Sequence, residues 1–180
     1  MTENPTHKII DDVLPEEEFK KLTDLILYNN RFPFSIEGCV AHRPDDEGYD
    51  KEKEEDYRNW YASHVAYTNN VPISDAFEPI ARILTPVFQK LGMRSLLRVK
   101  VNFYPYTHEI YEHAPHKDYA WPCAAGILSL NTCDGFTRIE DEIKVESIAN
   151  RLLLFDSSRP HNSSTTTNAK ARYNINFNYL

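Results

Sequence analysis

The chain is poor in cysteine, has no long apolar run and shows no cluster of basic residues, and each of these gaps removes a class of protein. The three cysteines, Cys39, Cys123 and Cys133, are scattered, odd in number and contain no Cys-x-x-Cys pair. They read as free thiols in a reducing compartment, which points to the cytoplasm and away from a disulfide scaffold or a zinc knuckle. No apolar stretch is long enough to span a bilayer. The first residues, Met1-Thr2-Glu3-Asn4-Pro5, lack the basic-then-apolar order of a secretory signal. The glycosylation sequon Asn162-Ser163-Ser164 therefore reads as a chance match. Net charge is −7. Proteins that bind polyanions usually neutralise phosphates with a basic surface, so this balance argues against nucleic acid as a partner and gives no reason to expect a membrane surface. Internal repeats, low-complexity segments and linkers are also lacking. Oligomeric state leaves no trace in the sequence.

What is present suits one globular domain, residues 1–180, with a sizeable core: 41% of residues are hydrophobic and 12% aromatic. Residues 1–94 read as helical support plus a charged loop. A helix is predicted over 15–29, with Pro15 in the first turn, Glu16, Glu17 and Glu18 at the positive end of the dipole, and Phe19, Leu22, Leu25 and Ile26 at helical spacing. A second is predicted over 74–91, opened by Ser74 and stopped near Gly92, with Pro79 tolerated near the start and Pro86 expected to kink or split it. Between them, residues 44–58 are dense in charge. They read as a solvated loop, with a lid over a site as the sharper alternative.

From residue 95 the texture changes. Leu97, Val99, Val101 and Phe103 alternate with Arg98, Lys100, Asn102 and Tyr104, as a half-buried strand does. Short strands are predicted over 124–130, 136–140, 143–148, 152–155 and 172–179, with a turn at Asn131-Thr132-Cys133-Asp134-Gly135. Two helices followed by such a block predict a mainly β protein with flanking helices: a double-sheet jelly roll, with the N-terminal helices packed on one sheet.

One constellation carries chemistry. His116-Lys117-Asp118 is followed downstream by His161 and then by Arg172. On an extended segment, residues i and i+2 project to one side, so His116 and Asp118 can reach one ion. His161, after the apolar strand and the turn, can complete a 2-His-1-carboxylate set that leaves open positions on Fe(II). An arginine on the strand after the second histidine can pair with a dicarboxylate through parallel hydrogen bonds. A lone His-x-Asp is weak evidence among seven histidines. Its weight comes from the strand before it, the histidine after an apolar strand and the arginine opening the last strand.

Residues from about Leu97 to Leu180 resemble the catalytic core of the Fe(II)/2-oxoglutarate-dependent dioxygenases, in the prolyl-hydroxylase-like branch. The matching pieces are Asn102-Phe103-Tyr104-Pro105, His116-Lys117-Asp118, Ile127 to Asn131 with the Asp134-Gly135-Phe136-Thr137 turn, Leu153-Leu154-Phe155-Asp156 leading to His161, and Arg172-Tyr173-Asn174-Ile175-Asn176-Phe177. The N-terminal half is similar only in being helical. The resemblance implies a jelly-roll double-stranded β-helix. It implies His116, Asp118 and His161 as Fe(II) ligands, Arg172 as the anchor of the distal carboxylate of 2-oxoglutarate, and Tyr104 as a second contact. Ser129 stands where the family often has a larger hydroxyl facing the co-substrate, and Asn176, two alternations from Arg172, could face the same pocket. The implied reaction hydroxylates a C–H bond of a peptide, protein or small molecule with O₂, releasing succinate and CO₂. Halogenating relatives have a small residue at the position of Asp118, so the carboxylate points to hydroxylation.

Blander readings stand beside these. His113 and His108 lie near His116, but a three-residue spacing does not suit a strand, so His113 reads as a supporting or exposed residue. Trp121 could flank a substrate entrance or simply edge the core. Tyr57, Trp60 and Tyr61 read as core packing more than as a lid. Two other functions compete. Nucleic-acid base demethylases of this superfamily carry Arg-x-Asn and a further arginine on the last strand; Arg172-Tyr173-Asn174 matches the start, but Asn178 stands in the second arginine's place. A non-catalytic jelly-roll binding module would need a broken ligand triad, and this one is complete.

Overall fold

The structure is a computed structural model that describes residues 7–41 and 51–180. The elements in chain order are β1 (His7–Ile10), α1 (Glu16–Ile26), β2 (Ser35–Glu37), α2 (Lys51–Glu54), β3 (Tyr61–Thr68), β4 (Val71–Pro72), α3 (Phe77–Lys90), β5 (Leu96–Pro105), β6 (Ala124–Ser129), β7 (Phe136–Ile139), β8 (Ile143–Glu146), β9 (Leu152–Asp156), β10 (His161–Ser163) and β11 (Ala171–Tyr179). The larger sheet runs β1-β9-β6-β11-β5-β3-β2, with β4 paired to β3, and the smaller runs β10-β7-β8. All these pairings are antiparallel. The result is the expected jelly roll, mainly β with flanking helices.

Both long helices form because their apolar residues recur on one face. Leu22 and Ile26 of α1 and Ile80, Leu84 and Val87 of α3 are buried against Val99, Val101, Leu128, Ile175 and Phe177 of the larger sheet. A Cβ at Gly126 would lie 2.2 Å from the Phe177 ring, so glycine there lets that ring lie flat against the sheet. A second, smaller core fills part of the space between the sheets: Ala125, Ile127, Leu153 and Phe155 meet Ile139 and Val145.

Three expectations change. The N-terminal segment is not only helical support, since β1 to β4 all come from it and β3 and β2 extend the larger sheet. Pro86 does not split α3, which runs unbroken from Phe77 to Lys90. The proline sits on the exposed face, so the carbonyl it cannot bond, that of exposed Arg82, faces water. The helix starts later than Ser74, whose hydroxyl accepts from the Ala76 N–H at 3.1 Å instead. Of the charged stretch 44–58, residues 44–50 lie outside the described residues, and 51–54 form the short α2.

Candidate metal centre and its pocket

The β5–β11 ladder decides what faces the space between the sheets. Its register pairs Arg172 with Tyr104, Asn174 with Asn102, Asn176 with Lys100 and Asn178 with Arg98. Because side chains alternate, these eight residues share one face. That face looks away from the helices and forms a polar wall.

A connecting segment lies across this wall. Its backbone is tied to the β10 region at His113 N–H to Ser163 O (2.9 Å), His116 N–H to His161 O (2.9 Å), His161 N–H to His116 O (2.9 Å) and Asp118 N–H to Ser157 O (3.0 Å). His116 and His161 are therefore direct partners in an antiparallel bridge, and their ring centroids lie 4.6 Å apart. Asp118 completes the cluster. Its Oδ1 is 3.9 Å from His116 Nε2 and its Oδ2 is 4.0 Å from His161 Nε2. One ligand atom from each of the three lies within 4.8 Å of the others. Among the described residues this is the one such group that could hold a metal ion.

The donor set fits a metal. His161 Nδ1–H donates to the Arg159 carbonyl at 3.0 Å, which fixes the tautomer and turns the Nε2 lone pair inward. Burial pushes His116 down to about 3, helped by His161, and lowers His161 too. Both imidazoles are thus neutral at pH 7, as ligands must be. Burial alone would raise the Asp118 carboxyl, but Arg98, His161, His116 and Asn178 together hold it well below the usual carboxylate range. Arg98 Nη2 lies 2.7 Å from Asp118 Oδ1, and the amides of Asn178 and Asn176 donate to Oδ2 at 2.9 and 3.3 Å.

Arg172 lies in the same interior and is 1% exposed. Its Nη2 donates to the Thr137 hydroxyl at 2.7 Å, its Nη1 reaches the Ser164 carbonyl at 3.4 Å, and its guanidinium lies 5.3 Å from the Tyr104 ring centre. Nε has no partner, and no ion pair among the described residues includes Arg172. Burial pushes this guanidinium below its ordinary range. Gly135 makes the position possible: a Cβ there would stand 2.7 Å from Arg172 Cδ and from the Thr165 carbonyl. Asp134 holds the loop before β11 by accepting from the Thr166 hydroxyl (2.7 Å) and the Thr167 N–H (2.9 Å).

Two cavities adjoin the cluster. A small one of about 30 Å³ is lined by Tyr104, Thr137, His161, Asn174 and Asn176, among others, and lies between the cluster and the Arg172 side. A larger one of about 310 Å³ opens beyond His116 and Asp118, walled by β5, Tyr61 and residues 37–41.

Most of the predicted residues come together here: His116, Asp118, His161, Arg172, Tyr104 and Asn176. Ser129 is buried on β6 opposite Asn174 and on the same face as Ile127, which lines the small cavity. His113 is buried, not exposed; its Nδ1 contacts Ser163, and burial pushes it down to about 4. Tyr61 lines the larger cavity, Trp60 stacks on Phe103, and Tyr57 is exposed, so core packing holds for only part of that aromatic group. Trp121 is 43% exposed against Tyr119, at neither cavity. Asn162 is buried, with its amide donating to Glu112 and to the His113 carbonyl, so the sequon is not displayed. Sequence reasoning missed Arg98, Asn178 and Thr137. The signal for the first two was the alternation itself: Arg98 is in phase with Tyr104, and Asn178 with Arg172.

No protein-family model matches the sequence, and no curated protein does. Solved structures do. A Trichoplax adhaerens prolyl hydroxylase in complex with a peptide fragment of the hypoxia-inducible factor oxygen degradation domain is 18% identical, with a TM-score of 0.63 over 97% of this chain and 83% of that one. A 2OG-Fe(II) oxygenase family oxidoreductase from Burkholderia pseudomallei is 11% identical, with a TM-score of 0.68 over 97% and 84%. HygX from Streptomyces hygroscopicus, with nickel and 2-oxoglutarate bound, is 12% identical, with a TM-score of 0.57 over 97% and 82%. The fold is the one these oxygenases share. No helix among the described residues is long and apolar enough to cross a membrane.

Proposed function

We propose that the chain is a non-haem Fe(II)- and 2-oxoglutarate-dependent dioxygenase that hydroxylates a C–H bond of a peptide, protein or small molecule in the cytoplasm. The observation that carries this reading is Arg172. A guanidinium buried without a carboxylate is costly, and breaking or omitting its counter-charge is worth several kcal/mol, roughly 3–5 in comparable sites. Such a group beside a His-Asp-His cluster calls for an anionic ligand between them. A dicarboxylic keto acid meets both needs, with one end at the ion and the other at the arginine. Proteins similar in fold support the choice: one holds nickel with 2-oxoglutarate, one is an epimerase in complex with Fe3+, alpha ketoglutarate and nogalamycin RO, and one is in complex with a peptide fragment.

His116, Asp118 and His161 would hold the ion. When bound there, iron(II) with 2-oxoglutarate and O₂ supplies the oxidation of a C–H bond to C–OH, with succinate and CO₂ released. The protein's own part is positioning. Arg172 and the Thr137 hydroxyl would hold the distal carboxylate, and the Tyr104 ring covers the guanidinium. Arg98, Asn176 and Asn178 hold the Asp118 carboxylate in one orientation. The neutral imidazoles need release no proton to accept the ion. The apolar cluster of Ile127, Leu153 and Phe155 keeps water from the inner side of the pocket.

The test is spectroscopic. Anaerobic protein with Fe(II) and 2-oxoglutarate is expected to show the weak charge-transfer band of such chelates, at about 500 nm. His116→Ala and Asp118→Ala should abolish it. No band in the unaltered protein, or a band that survives both substitutions, overturns the assignment.

A further inference from the structure

With the ion and 2-oxoglutarate seated as proposed above, the ion's charge and Arg172 offset Asp118 and the two carboxylates of the co-substrate. Arg98 is then left over. In the structure its counter-charge is Asp118, at 2.7 Å. Once that carboxylate also ligates an ion, its charge is shared between the ion and the guanidinium, which stays largely buried, with 23% of its side chain exposed. Its Nε is buried and has no hydrogen-bond partner. Arg98 stands in the wall of the larger cavity, on the side of Asp118 that faces away from Arg172.

The described surroundings do not supply the missing charge. Among the described residues, that cavity is lined by Arg98, Lys100 and Lys117, against Glu37 and Asp118. Lys100 donates to the Tyr61 hydroxyl at 2.6 Å, and Glu37 accepts from the Ser63 hydroxyl at 3.3 Å. Among the described residues, removing Asp118 from the count leaves more cationic than anionic side chains on this wall, inside a protein whose net charge is −7. The same wall holds a buried acceptor with no donor, Asn176 Oδ1. Apolar side chains are few, Val40 and Ala41 among them. A volume of about 310 Å³ suits a small organic molecule or one or two residues of a chain.

We propose that the substrate is a small polar molecule bearing a carboxylate or phosphate, which seats against Arg98, with a hydrogen-bond donor nearby that meets Asn176. Arg98 then serves two partners: it steadies Asp118 throughout and, once the ion shares that carboxylate's charge, recognises the substrate's anion, so metal loading prepares the substrate site. The inference rests on the dioxygenase reading, because the ion and co-substrate create the unpaired charge.

The experiment uses the full chain loaded with Ni(II) and 2-oxoglutarate, which binds without turning over. Propionate, methyl phosphate and the neutral isostere propionamide are titrated calorimetrically, while the Ni(II)–2-oxoglutarate absorption confirms that neither is displaced. At least one anion should bind roughly tenfold or more tightly than propionamide, the scale of one charge-assisted hydrogen bond. Which anion wins separates a carboxylate substrate from a phosphorylated one. Arg98→Gln should bring anion and amide toward parity, and Arg98→Lys should restore part of the preference. Equal binding of all three by the unaltered loaded protein overturns the proposal, as does a preference that survives Arg98→Gln. Should the unaltered protein fail to load nickel and 2-oxoglutarate at all, the dioxygenase reading is what falls.

Discussion

One face of the β5–β11 ladder carries Val99, Val101, Ile175 and Phe177 and packs under α1 and α3. The other carries Arg98, Asn102, Tyr104, Arg172, Asn174, Asn176 and Asn178, and most of these are buried as well. Alternation of apolar and polar residues normally marks one buried face and one wet face. Here both are enclosed, one by helices and one by the smaller sheet with its connecting segment. A polar face that is closed off must satisfy its groups internally or with a ligand. The unsatisfied atoms of Arg98, Arg172, Asn176 and Asn178 all lie on it. The apolar face stabilises the fold, and the polar face is held ready for something to enter.

That contrast can be broken in three ways. The largest expected effect is on the apolar face: Ile175→Ala should cost about 2–5 kcal/mol in urea unfolding while leaving the affinity of the unfolding-resistant fraction for Mn(II) unchanged. A similar loss of metal affinity in the folded fraction would mean the faces are not separable. The second effect is acid sensitivity of the polar side. Burial drives His113 down to about 4 from an ordinary 6.5. The unfolded chain therefore takes up a proton below pH 6.5 that the fold refuses. The stability present above pH 6.5 is lost as pH falls toward 4, by up to about 3 kcal/mol for this group. Lowered His116 and His161 and lowered Asp118 act in the same direction. His113→Phe should flatten part of that slope in metal-free protein; an unchanged slope would assign it to the other groups. The smallest effect on stability, and the sharpest on binding, belongs to Arg172→Met. It removes a buried charge that lacks a partner, so the melting temperature of the free protein should hold or rise. The affinity for 2-oxoglutarate should drop roughly tenfold to a hundredfold, with Mn(II) retained. A large loss of stability would mean the guanidinium is already satisfied by Thr137 and Tyr104.

The C-terminal strands were legible because they are long or plainly apolar. Leu152 to Phe155 and the alternation of β5 leave little choice. The first strands were not. β3 carries a register shift between Val65 and Tyr67, which breaks the period of two and hides a strand that is eight residues long. β1, β2 and β10 span only four, three and three residues and take their conformation from partners distant in sequence. The ligand triad could be found because its residue types are rare in combination. The alternation of β5 puts Arg98 on the inward face but not beside Asp118, because that contact depends on the tertiary path of the connecting segment. Ser129 and Ile127 are two apart on β6 and pair with Asn174 and Asn176 of the polar wall, so alternation puts both on the inward face.

β11 has one further consequence. Arg172 at its start and Asn178 near its end serve opposite ends of the site and are joined by an uninterrupted strand with no loop between them. Deleting a single codon anywhere from 173 to 176 would leave every later residue of the strand on the wrong side of the sheet. Phe177 would turn toward Asp118, and the asparagines would turn under the helices. Point substitutions in this strand can be graded in their effects, but a change in its length cannot, so across descendants of this gene the spacing between these two positions should vary less than the residues that fill it.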